Sequence, residues 1–242
     1  MAKYRPRTGA IGKHSAAFCC AIIAAAGKSE RMGGRDKLFI DIAGAPVLAH
    51  TLLAFQNSAA IDEIILVVSG ENLERAAALC ADFKIDKASK VITGGETRLE
   101  SVLNGTMAAS KKAMLLAIHD GARPCVSSSV IAQAVMAARK KHSAAPAIPV
   151  SSTVKRVRDG MAIETIDRDG LFEVQTPQVF TADLIKAALT YAFKKSINVT
   201  DDCMAAELIG APVYITEGSP LNIKITTLED IITAEAIMKS EA

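Results

Sequence analysis

One segment of the chain combines small residues with fixed positive charge. Residues 24–37 read AAAGKSERMGGRDK, and they follow an apolar run, Cys19–Ile23, that predicts a buried strand. Alanine and glycine leave backbone N–H groups uncovered, so a polyphosphate can approach the chain closely. Arg31 and Lys37 add positive charge where a triphosphate would lie. The segment is therefore predicted to be a nucleotide-binding loop.

This loop does not match either common phosphate-binding pattern. Gly27-Lys28-Ser29 ends like a Walker A loop, but Ile22 stands where that pattern requires its first glycine. The dinucleotide pattern G-x-G-x-x-G fails as well, because Ser29 takes the place of its second glycine. Taken alone, the segment also fits a surface loop with ordinary charges.

A second candidate site, His119-Asp120-Gly121-Ala122-Arg123-Pro124, follows the apolar run Met114–Ile118. A carboxylate at the end of a strand, followed by glycine, is suited to hold a divalent cation beside phosphates. Arg123 can bind a second anion through two parallel hydrogen bonds. The alternative is a turn in which Asp120 only caps its own backbone.

A third segment places two glycines before a predicted helix, Thr97–Ala109. Gly94 and Gly95 would allow the backbone to contact a flat ligand such as a base. Ser101 lies in the first turn of the helix, where hydroxyl and N–H groups can bind an anion. The alternative is a tight turn with an ordinary helix cap.

Near the C-terminus, Asn222–Thr226 predicts a short strand. Strand geometry would put Asn222 and Lys224 on one face and Ile223 and Ile225 on the other. Lys224 is then expected to face a site while the isoleucines pack. The alternative is a solvated lysine on an edge strand.

The elements that must position these residues alternate in type along the chain. A β-α-β order predicts a parallel sheet with helices on both faces, and ligands bind such sheets at the carboxyl ends of the strands. The loops 24–37, 93–101 and 119–125 would all lie at that edge. Later predicted strands are Ile64–Val68, Val91–Ile92, Met114–Ile118, Ala147–Val150 and Val213–Thr216, and predicted helices are Leu73–Phe83, Thr97–Ala109, Val130–Lys141, Ala182–Lys194, Asp201–Ile209 and one that begins at Leu228.

A hairpin interrupts this order. Val154–Arg158 and Met161–Ile166 alternate apolar and polar residues around Asp159-Gly160, which is a strong hairpin signal. An isolated hairpin is marginally stable, so it needs a partner surface, either on its own domain or on another subunit. Thr153 and Arg168 flank the hairpin and could either reach a phosphate or face solvent.

Length and composition indicate one α/β domain. The chain has 242 residues, of which half are hydrophobic, enough for a substantial core. We expect a single domain over residues 17–242, with a hairpin arm at about 151–170 and a flexible extension over residues 1–16. The net charge of +2, the low aromatic content and the absence of tryptophan argue against a nucleic-acid surface.

The apolar runs and the cysteines bear on location. No apolar run reaches the ~20 residues that span a bilayer, so no membrane contact is expected. The five cysteines form no C-x-x-C pair, which favours buried free thiols in a reducing compartment. A cytoplasmic protein is the expectation.

In combination, these segments resemble one known family, the 2-C-methyl-D-erythritol 4-phosphate cytidylyltransferases of the non-mevalonate isoprenoid pathway. The resemblance runs from about Cys19 to the C-terminus. The matching residues are Ala25 to Arg31 with Lys37, Gly94-Gly95 with Arg98 and Ser101, residues 119–124, Thr176-Pro177-Gln178, Thr200-Asp201-Asp202 and Asn222-Ile223-Lys224.

The resemblance implies a three-layer, Rossmann-like α/β nucleotidyltransferase fold with a mainly parallel sheet and a protruding β-hairpin arm. It also implies a homodimer through the arms, CTP and a sugar or polyol phosphate as substrates, and Mg²⁺ or another divalent cation. The residue roles that it implies are nucleotide binding by Ala25, Ala26, Gly27, Gly94, Gly95 and Ser101, charge stabilisation by Arg31, Lys37 and Lys224, metal binding by Asp120, and binding of the sugar phosphate by Arg123, Thr153, Arg168 and Thr176.

Three positions depart from the family pattern. Asp36 stands where proline is frequent and could weaken or redirect the local field; Gly121 replaces a frequent alanine. Leu221 stands where an acidic residue is common, which puts a second acidic metal ligand in doubt. Two other functions fit the residues: a cytidylyltransferase for ribitol 5-phosphate or another polyol or sugar phosphate, and a nucleotide-sensing subunit without catalysis.

Overall fold

The computed structural model describes residues 17–27 and 36–241. Arg31 and the predicted N-terminal extension lie outside these residues. In the described part of the chain the strands are β1 Cys19–Ala25, β2 Asp41–Ile42, β3 Ala45–Pro46, β4 Glu63–Val68, β5 Ala88–Thr93, β6 Leu115–Asp120, β7 Ser143–Pro149, β8 Val154–Arg158, β9 Met161–Ile166, β10 Phe172–Val174, β11 Gln178–Thr181 and β12 Tyr214–Glu217. The α-helices are α1 Val47–Gln56, α2 Leu73–Asp82, α3 Arg98–Ala108, α4 Ser128–Lys141, α5 Ala182–Lys194, α6 Asp202–Leu208 and α7 Leu228–Glu241.

The central sheet is mainly parallel. Its strand order is β12-β7-β11-β6-β1-β4-β5, and β10 pairs with β7 near the carboxyl end of that strand. β1, β4, β5 and β6 run parallel, and β11 is antiparallel to both β6 and β7. β1 and β4 are apolar along almost their whole length and buried on both faces, as expected for central strands of a parallel sheet.

Helices cover both faces of the sheet, so the fold has three layers. Alternate residues of β1 point to opposite sides: Cys19, Ala21 and Ile23 pack with α1, α2 and α4, whereas Cys20 and Ile22 pack with α3, α5 and α6. Glycine allows α3 to approach the sheet closely, because a Cβ atom on Gly105 would lie 2.8 Å from Cγ2 of Val67. The predicted fold class is confirmed.

The predicted hairpin is present. β8 and β9 form a two-stranded sheet of their own, and Asp159 and Gly160 both have positive φ angles, of 50° and 78°, as a type I′ turn requires. Val157, Met161 and Ile163 are each at least half exposed. The arm therefore presents apolar side chains that the described part of this chain does not cover.

One element prediction was wrong, and others were incomplete. Residues 222–226 are not a strand; they form an extended segment outside the sheets. β7 begins at Ser143, four residues before the predicted start, and α1, β10 and β11 were not predicted. Within residues 17–27 and 36–241, no helix has the length and apolar character needed to cross a bilayer.

Candidate active site

A group of charged side chains meets at the carboxyl end of β6. Asp120 is the last residue of that strand, and its carboxylate lies 2.9 Å from Nζ of Lys224, 3.5 Å from Nε of Arg123 and 3.6 Å from Nη2 of Arg98. We call these four residues the Asp120 cluster. Burial alone would raise the pKa of Asp120, but the neighbouring cations hold it well below its ordinary value. With three cations around one carboxylate, the cluster carries net positive charge and suits an anionic ligand.

Two buried side chains fix the backbone on which Asp120 lies. The Thr176 hydroxyl accepts a hydrogen bond from the backbone N–H of Asp120 (3.2 Å) and is 2.8 Å from Nδ1 of His119. His119 is fully buried beside the ring of Phe55, and this burial lowers its pKa to about 3. A neutral His119 is therefore a rigid internal support rather than a catalytic acid, and the Thr176 hydroxyl is engaged within the protein.

The segment that carries Lys224 is held by the loop after β6. Arg123 donates from Nη1 to the carbonyl of Asn222 (2.7 Å), and the N–H of Ile225 donates to the carbonyl of Ala122 (2.8 Å). Lys224 lies between these two bonds, so its ammonium is directed at Asp120 although the segment is not a strand. Lys224 is thus placed beside Asp120, its role in a nucleotide site stays a prediction, and Ile225 is fully buried, as expected.

Lys37 reaches the same segment from the other side. It begins a short 3₁₀ helix, Lys37–Phe39, and its Nζ atom donates to the carbonyl of Ile225 at 2.8 Å. Ile225 directly follows Lys224 in the chain. Two cations predicted to act on one triphosphate are thus linked through a single backbone segment.

The loops after β1 and β5 touch each other next to this cluster. A Cβ atom on Gly94 would lie 2.6 Å from Cβ of Ala26, so only glycine permits this approach. The Ser101 hydroxyl accepts from the N–H of Gly95 (3.1 Å) and thereby closes the loop onto α3. A Cβ on Gly27, by contrast, would meet no atom of the described residues within 4 Å. Packing against these residues therefore does not require glycine at position 27, which is exposed.

Arg98 and Asp202 form an ion pair whose role the sequence analysis did not identify. Nη1 and Nη2 of Arg98 lie 3.2 Å and 2.8 Å from the two carboxylate oxygens of Asp202, whose side chain is 1% exposed. The Gln178 side chain accepts from the N–H groups of Asp202 and Cys203 and so fixes the start of α6. Although burial opposes it, the carboxylates of Asp202 and Asp120 raise the pKa of Arg98. Asp202 therefore orients Arg98 towards Asp120.

Two of the predicted site residues lie on the arm. Thr153 and Arg168 are exposed, and Arg168 donates from Nη1 to the carbonyl of Ser151. Among the described residues, no hydrogen bond or ion pair joins either side chain to the Asp120 cluster. Arg31 lies outside the described residues, so its predicted role stays a prediction.

The possible metal ligands near Asp120 determine which kind of metal site the carboxyl edge of the sheet can form. Within residues 17–27 and 36–241, no three His, Cys, Asp or Glu side chains are arranged to hold a metal ion. Mg²⁺ commonly uses one or two carboxylates together with phosphate oxygens and water. Asp120 fits a magnesium ion that is held jointly with a bound nucleotide, rather than one enclosed by protein ligands alone.

Comparison with known proteins assigns the chain to a family. A sequence model of the family described as IspD, 2-C-methyl-D-erythritol 4-phosphate cytidylyltransferase, matches residues 19–240. The chain belongs to this family. The family resemblance read from the sequence is therefore confirmed, as is its assignment to the cytidylyltransferases.

Relatives and solved structures of the family extend over nearly the whole chain. A 2-C-methyl-D-erythritol 4-phosphate cytidylyltransferase of Dehalococcoides mccartyi is 44% identical over 90% of this chain and 95% of its own length. The 2-C-methyl-D-erythritol 4-phosphate cytidylyltransferase of Halalkalibacterium halodurans is 41% identical, also over 90% of this chain and 95% of its own length. The crystal structure of 4-diphosphocytidyl-2C-methyl-D-erythritol synthase from Anaerococcus prevotii matches with a TM-score of 0.81 and 32% identity, over 93% of this chain and 97% of its own. The Thermus thermophilus cytidylyltransferase structure matches with a TM-score of 0.77 and 31% identity, over 90% and 98%.

Proposed function

We propose that this family member transfers the cytidylyl group of CTP to 2-C-methyl-D-erythritol 4-phosphate and releases pyrophosphate. The observation that carries the proposal is the Asp120 cluster, which lies at the carboxyl edge of the sheet beside two loops with accessible backbone. Such an edge is where ligands bind in open α/β sheets. Net positive charge beside open backbone suits a nucleoside triphosphate.

The reaction needs alignment and charge neutralisation more than a protein base. A phosphate oxygen of the acceptor is already a nucleophile at neutral pH; it attacks the α-phosphorus of CTP, a new P–O bond forms, and the bond to pyrophosphate breaks. Positioning and electrostatic stabilisation dominate catalysis of such transfers. We assign Lys37, Lys224 and Arg31 to the negative charge that grows on the phosphoryl oxygens and on the leaving pyrophosphate.

The nucleotide is held by backbone and small residues in this proposal. Ala25, Ala26 and Gly27 line one side, and Gly94 and Gly95 line the other. The Ser101 hydroxyl orders the second loop and lies at the first turn of α3. The preference for CTP over UTP comes from the family alone.

Asp120 is the proposed ligand for Mg²⁺ or another divalent cation. A bound metal ion supplies Lewis-acid polarisation of the phosphoryl oxygens. Leu221 does not provide the second acidic ligand that is common in the family, so the proposal assigns the metal to Asp120. Asp120 forms an ion pair with Lys224, so the carboxylate that would hold the metal ion also positions this lysine beside it.

We propose that the acceptor phosphate is bound by residues from two subunits. Arg123 lies at the Asp120 cluster, and the buried Thr176 serves the same side of the site by holding the backbone of Asp120. Thr153 and Arg168 lie exposed on the arm, where Arg168 donates to the carbonyl of Ser151. The exposed apolar side chains of the arm fit burial against a second copy of the chain. A homodimer in which each arm reaches the partner's site accounts for both observations.

A cytoplasmic location is also proposed. None of the five cysteines forms a disulfide within the described part of the chain, and Cys19, Cys20 and Cys203 are buried. Buried thiols of this kind are typical of a reducing compartment.

The function is tested by measuring pyrophosphate release from CTP and Mg²⁺ with a panel of acceptors. The expected result is turnover with 2-C-methyl-D-erythritol 4-phosphate well above that with ribitol 5-phosphate and other polyol or sugar phosphates. Preference for another acceptor would replace the substrate but keep the reaction class. Binding of CTP without pyrophosphate release from any acceptor would instead identify a nucleotide-sensing subunit.

A further inference from the structure

Asp36, which precedes Lys37, is engaged at both carboxylate oxygens. Oδ1 accepts a hydrogen bond from the N–H of Leu38 (3.1 Å), and Oδ2 accepts one from Nδ2 of Asn72 (2.6 Å). The first bond caps the 3₁₀ helix that begins with Lys37. The second attaches this helix to the connection between β4 and α2. A residue that departs from the family pattern is therefore fixed by two specific contacts.

A second contact ties the same two segments together. The guanidinium of Arg75, in the first turn of α2, lies 3.9 Å from the centre of the Phe39 ring. Cation–π contacts of this kind are attractive at this distance. The 3₁₀ helix is thus held at its start by Asn72 and at its end by Arg75. These two contacts restrict the movement of the helix and so of Lys37.

This attachment lies at the edge of the sheet where the site forms. Val68, the last residue of β4, pairs with Ala25, the last residue of β1. The β4–α2 connection starts directly after Val68 and contains Asn72. From that anchored position the side chain of Lys37 reaches the carbonyl of Ile225. A chain of direct contacts therefore runs from Asn72 through Asp36 and Lys37 to the segment of Lys224.

We propose that Asp36 and Asn72 are a positioning pair that sets the place of the Lys37 ammonium for nucleotidyl transfer. This inference rests on the proposed role of Lys37 as a cation that acts on the triphosphate. The hydrogen bonds from Leu38 and Asn72 also engage the carboxylate lone pairs of Asp36, which limits the repulsion between this negative charge and a polyphosphate nearby. The pair thus positions the Lys37 ammonium and holds the Asp36 carboxylate in hydrogen bonds.

An exchange of the two side chains tests the proposal. N72D places two carboxylates opposite each other, and we expect kcat to fall about 10- to 100-fold, the range that a small misplacement of a reacting group costs. In the double variant D36N/N72D, the amide introduced at position 36 keeps the helix cap and donates to the carboxylate introduced at position 72. We expect the double variant to recover most of the lost kcat. E71Q changes the charge by one unit in the opposite sense at the neighbouring exposed position; it tests whether local charge alone alters the rate, and kcat should be unchanged.

A third variant shows whether the pair acts through Lys37. In the K37A background, N72D should lower kcat by less than about twofold, because there is no ammonium left to misplace. Thermal unfolding of each variant is measured in parallel; N72D should unfold at a lower temperature than D36N/N72D, because its two carboxylates repel each other, and both should be folded at the assay temperature. If N72D lowers kcat by the same factor with and without Lys37, the proposal is wrong.

Binding of CTP separates this proposal from the proposed function. Isothermal titration of CTP and Mg²⁺ should show weaker binding to N72D and recovery in D36N/N72D, whichever acceptor the enzyme uses. If the wild-type protein turns over no acceptor but this recovery is seen, the function fails and the positioning pair stands. If the wild-type protein is active and neither kcat nor CTP affinity recovers in the double variant, the pair fails and the function stands.

Discussion

Arg98 and Arg156 each pair with a carboxylate at nearly the same distance, yet the two pairs lie in very different surroundings. Arg98 and Asp202 are 2.8 Å apart at the carboxyl edge of the sheet, where the Asp202 side chain is 1% exposed. Arg156 and Glu164 are 2.7 Å apart on the arm, where both side chains are more than half exposed. Distance alone therefore says little about what an ion pair does in this protein.

The surroundings explain the difference between the two regions. At the sheet edge, Arg98 and Arg123 each contact two partners that lie on other elements, so the charges form an ordered group within one chain. On the arm, the ion pair joins two strands that, within the described part of the chain, pair only with each other. At the sheet edge, the charged side chains contact one another within a single chain. On the arm, apolar side chains remain exposed in the described part of the chain.

Removing a cation from the sheet edge should have the largest effect. Lys37→Ala is expected to lower kcat by about 10²–10³-fold, the usual cost of losing one preorganised group that stabilises transition-state charge. Steady-state kinetics of the purified variant with saturating CTP check this. Turnover close to that of the wild-type protein would remove Lys37 from the catalytic group.

Loss of the buried ion pair should affect both stability and rate. Asp202→Asn removes the bidentate partner of Arg98 and leaves it only the more distant carboxylate of Asp120. We expect the free energy of unfolding to fall by about 3 kcal/mol, at the low end of the range for breaking a buried pair. The low end applies because the Arg98 side chain is 32% exposed. Urea unfolding measures the loss, and kcat should fall about tenfold because Arg98 is no longer oriented towards Asp120. An unchanged unfolding curve would contradict the structural role of this pair.

Changes to the apolar side of the arm should act on assembly rather than on nucleotide binding. The double variant Met161→Ser and Ile163→Ser removes two exposed apolar side chains, each worth about 1.5–3 kcal/mol when fully buried. We expect the dimer dissociation constant to rise more than about 100-fold and the KM for the acceptor to increase, with CTP affinity kept. Sedimentation velocity and CTP titration measure the two quantities. A monomer with unchanged KM for the acceptor would show that the arm does not serve the partner's site.

The smallest effect is expected for the ion pair on the arm. Glu164→Gln should change the free energy of unfolding by no more than about 0.5 kcal/mol, because exposed pairs are solvated and screened. This variant is the matched control for Asp202→Asn and for the apolar arm variant. A loss as large as that of Asp202→Asn would show that burial does not separate the two regions.

Local patterns in the sequence predicted those features whose cause is local. Alternation around Asp159-Gly160 predicted the hairpin, since two residues with positive φ are what such a turn requires. The apolar character of β1 and β4 predicted central parallel strands. α1 was not predicted, because its apolar residues leave no polar stripe and most of the helix is buried. The four-residue strand β11 is too short to give a periodic signal.

Contacts between distant segments required more than local patterns. The grouping of Asp120 with Lys224 was expected only through the family resemblance. Arg98 and Asp202 appeared in the sequence as parts of motifs, but they are 104 residues apart and nothing in their spacing indicates a pair. The predicted strand at residues 222–226 was wrong because its hydrogen bonds go to side chains and loop carbonyls, not to a neighbouring strand.

The bond between Lys37 and the Ile225 carbonyl joins residues 188 positions apart, which has a consequence for biosynthesis. Chains emerge from the ribosome with the N-terminus first, so most of the sheet can assemble before Lys224 and Ile225 are available. A nascent chain that lacks these last residues would contain Asp120, Arg98 and Arg123 but neither the final ammonium nor the carbonyl that receives Lys37. The proposed triphosphate site is therefore expected to mature only after Lys224 and Ile225 have been made, and a product that stops before them should keep much of its sheet while losing turnover.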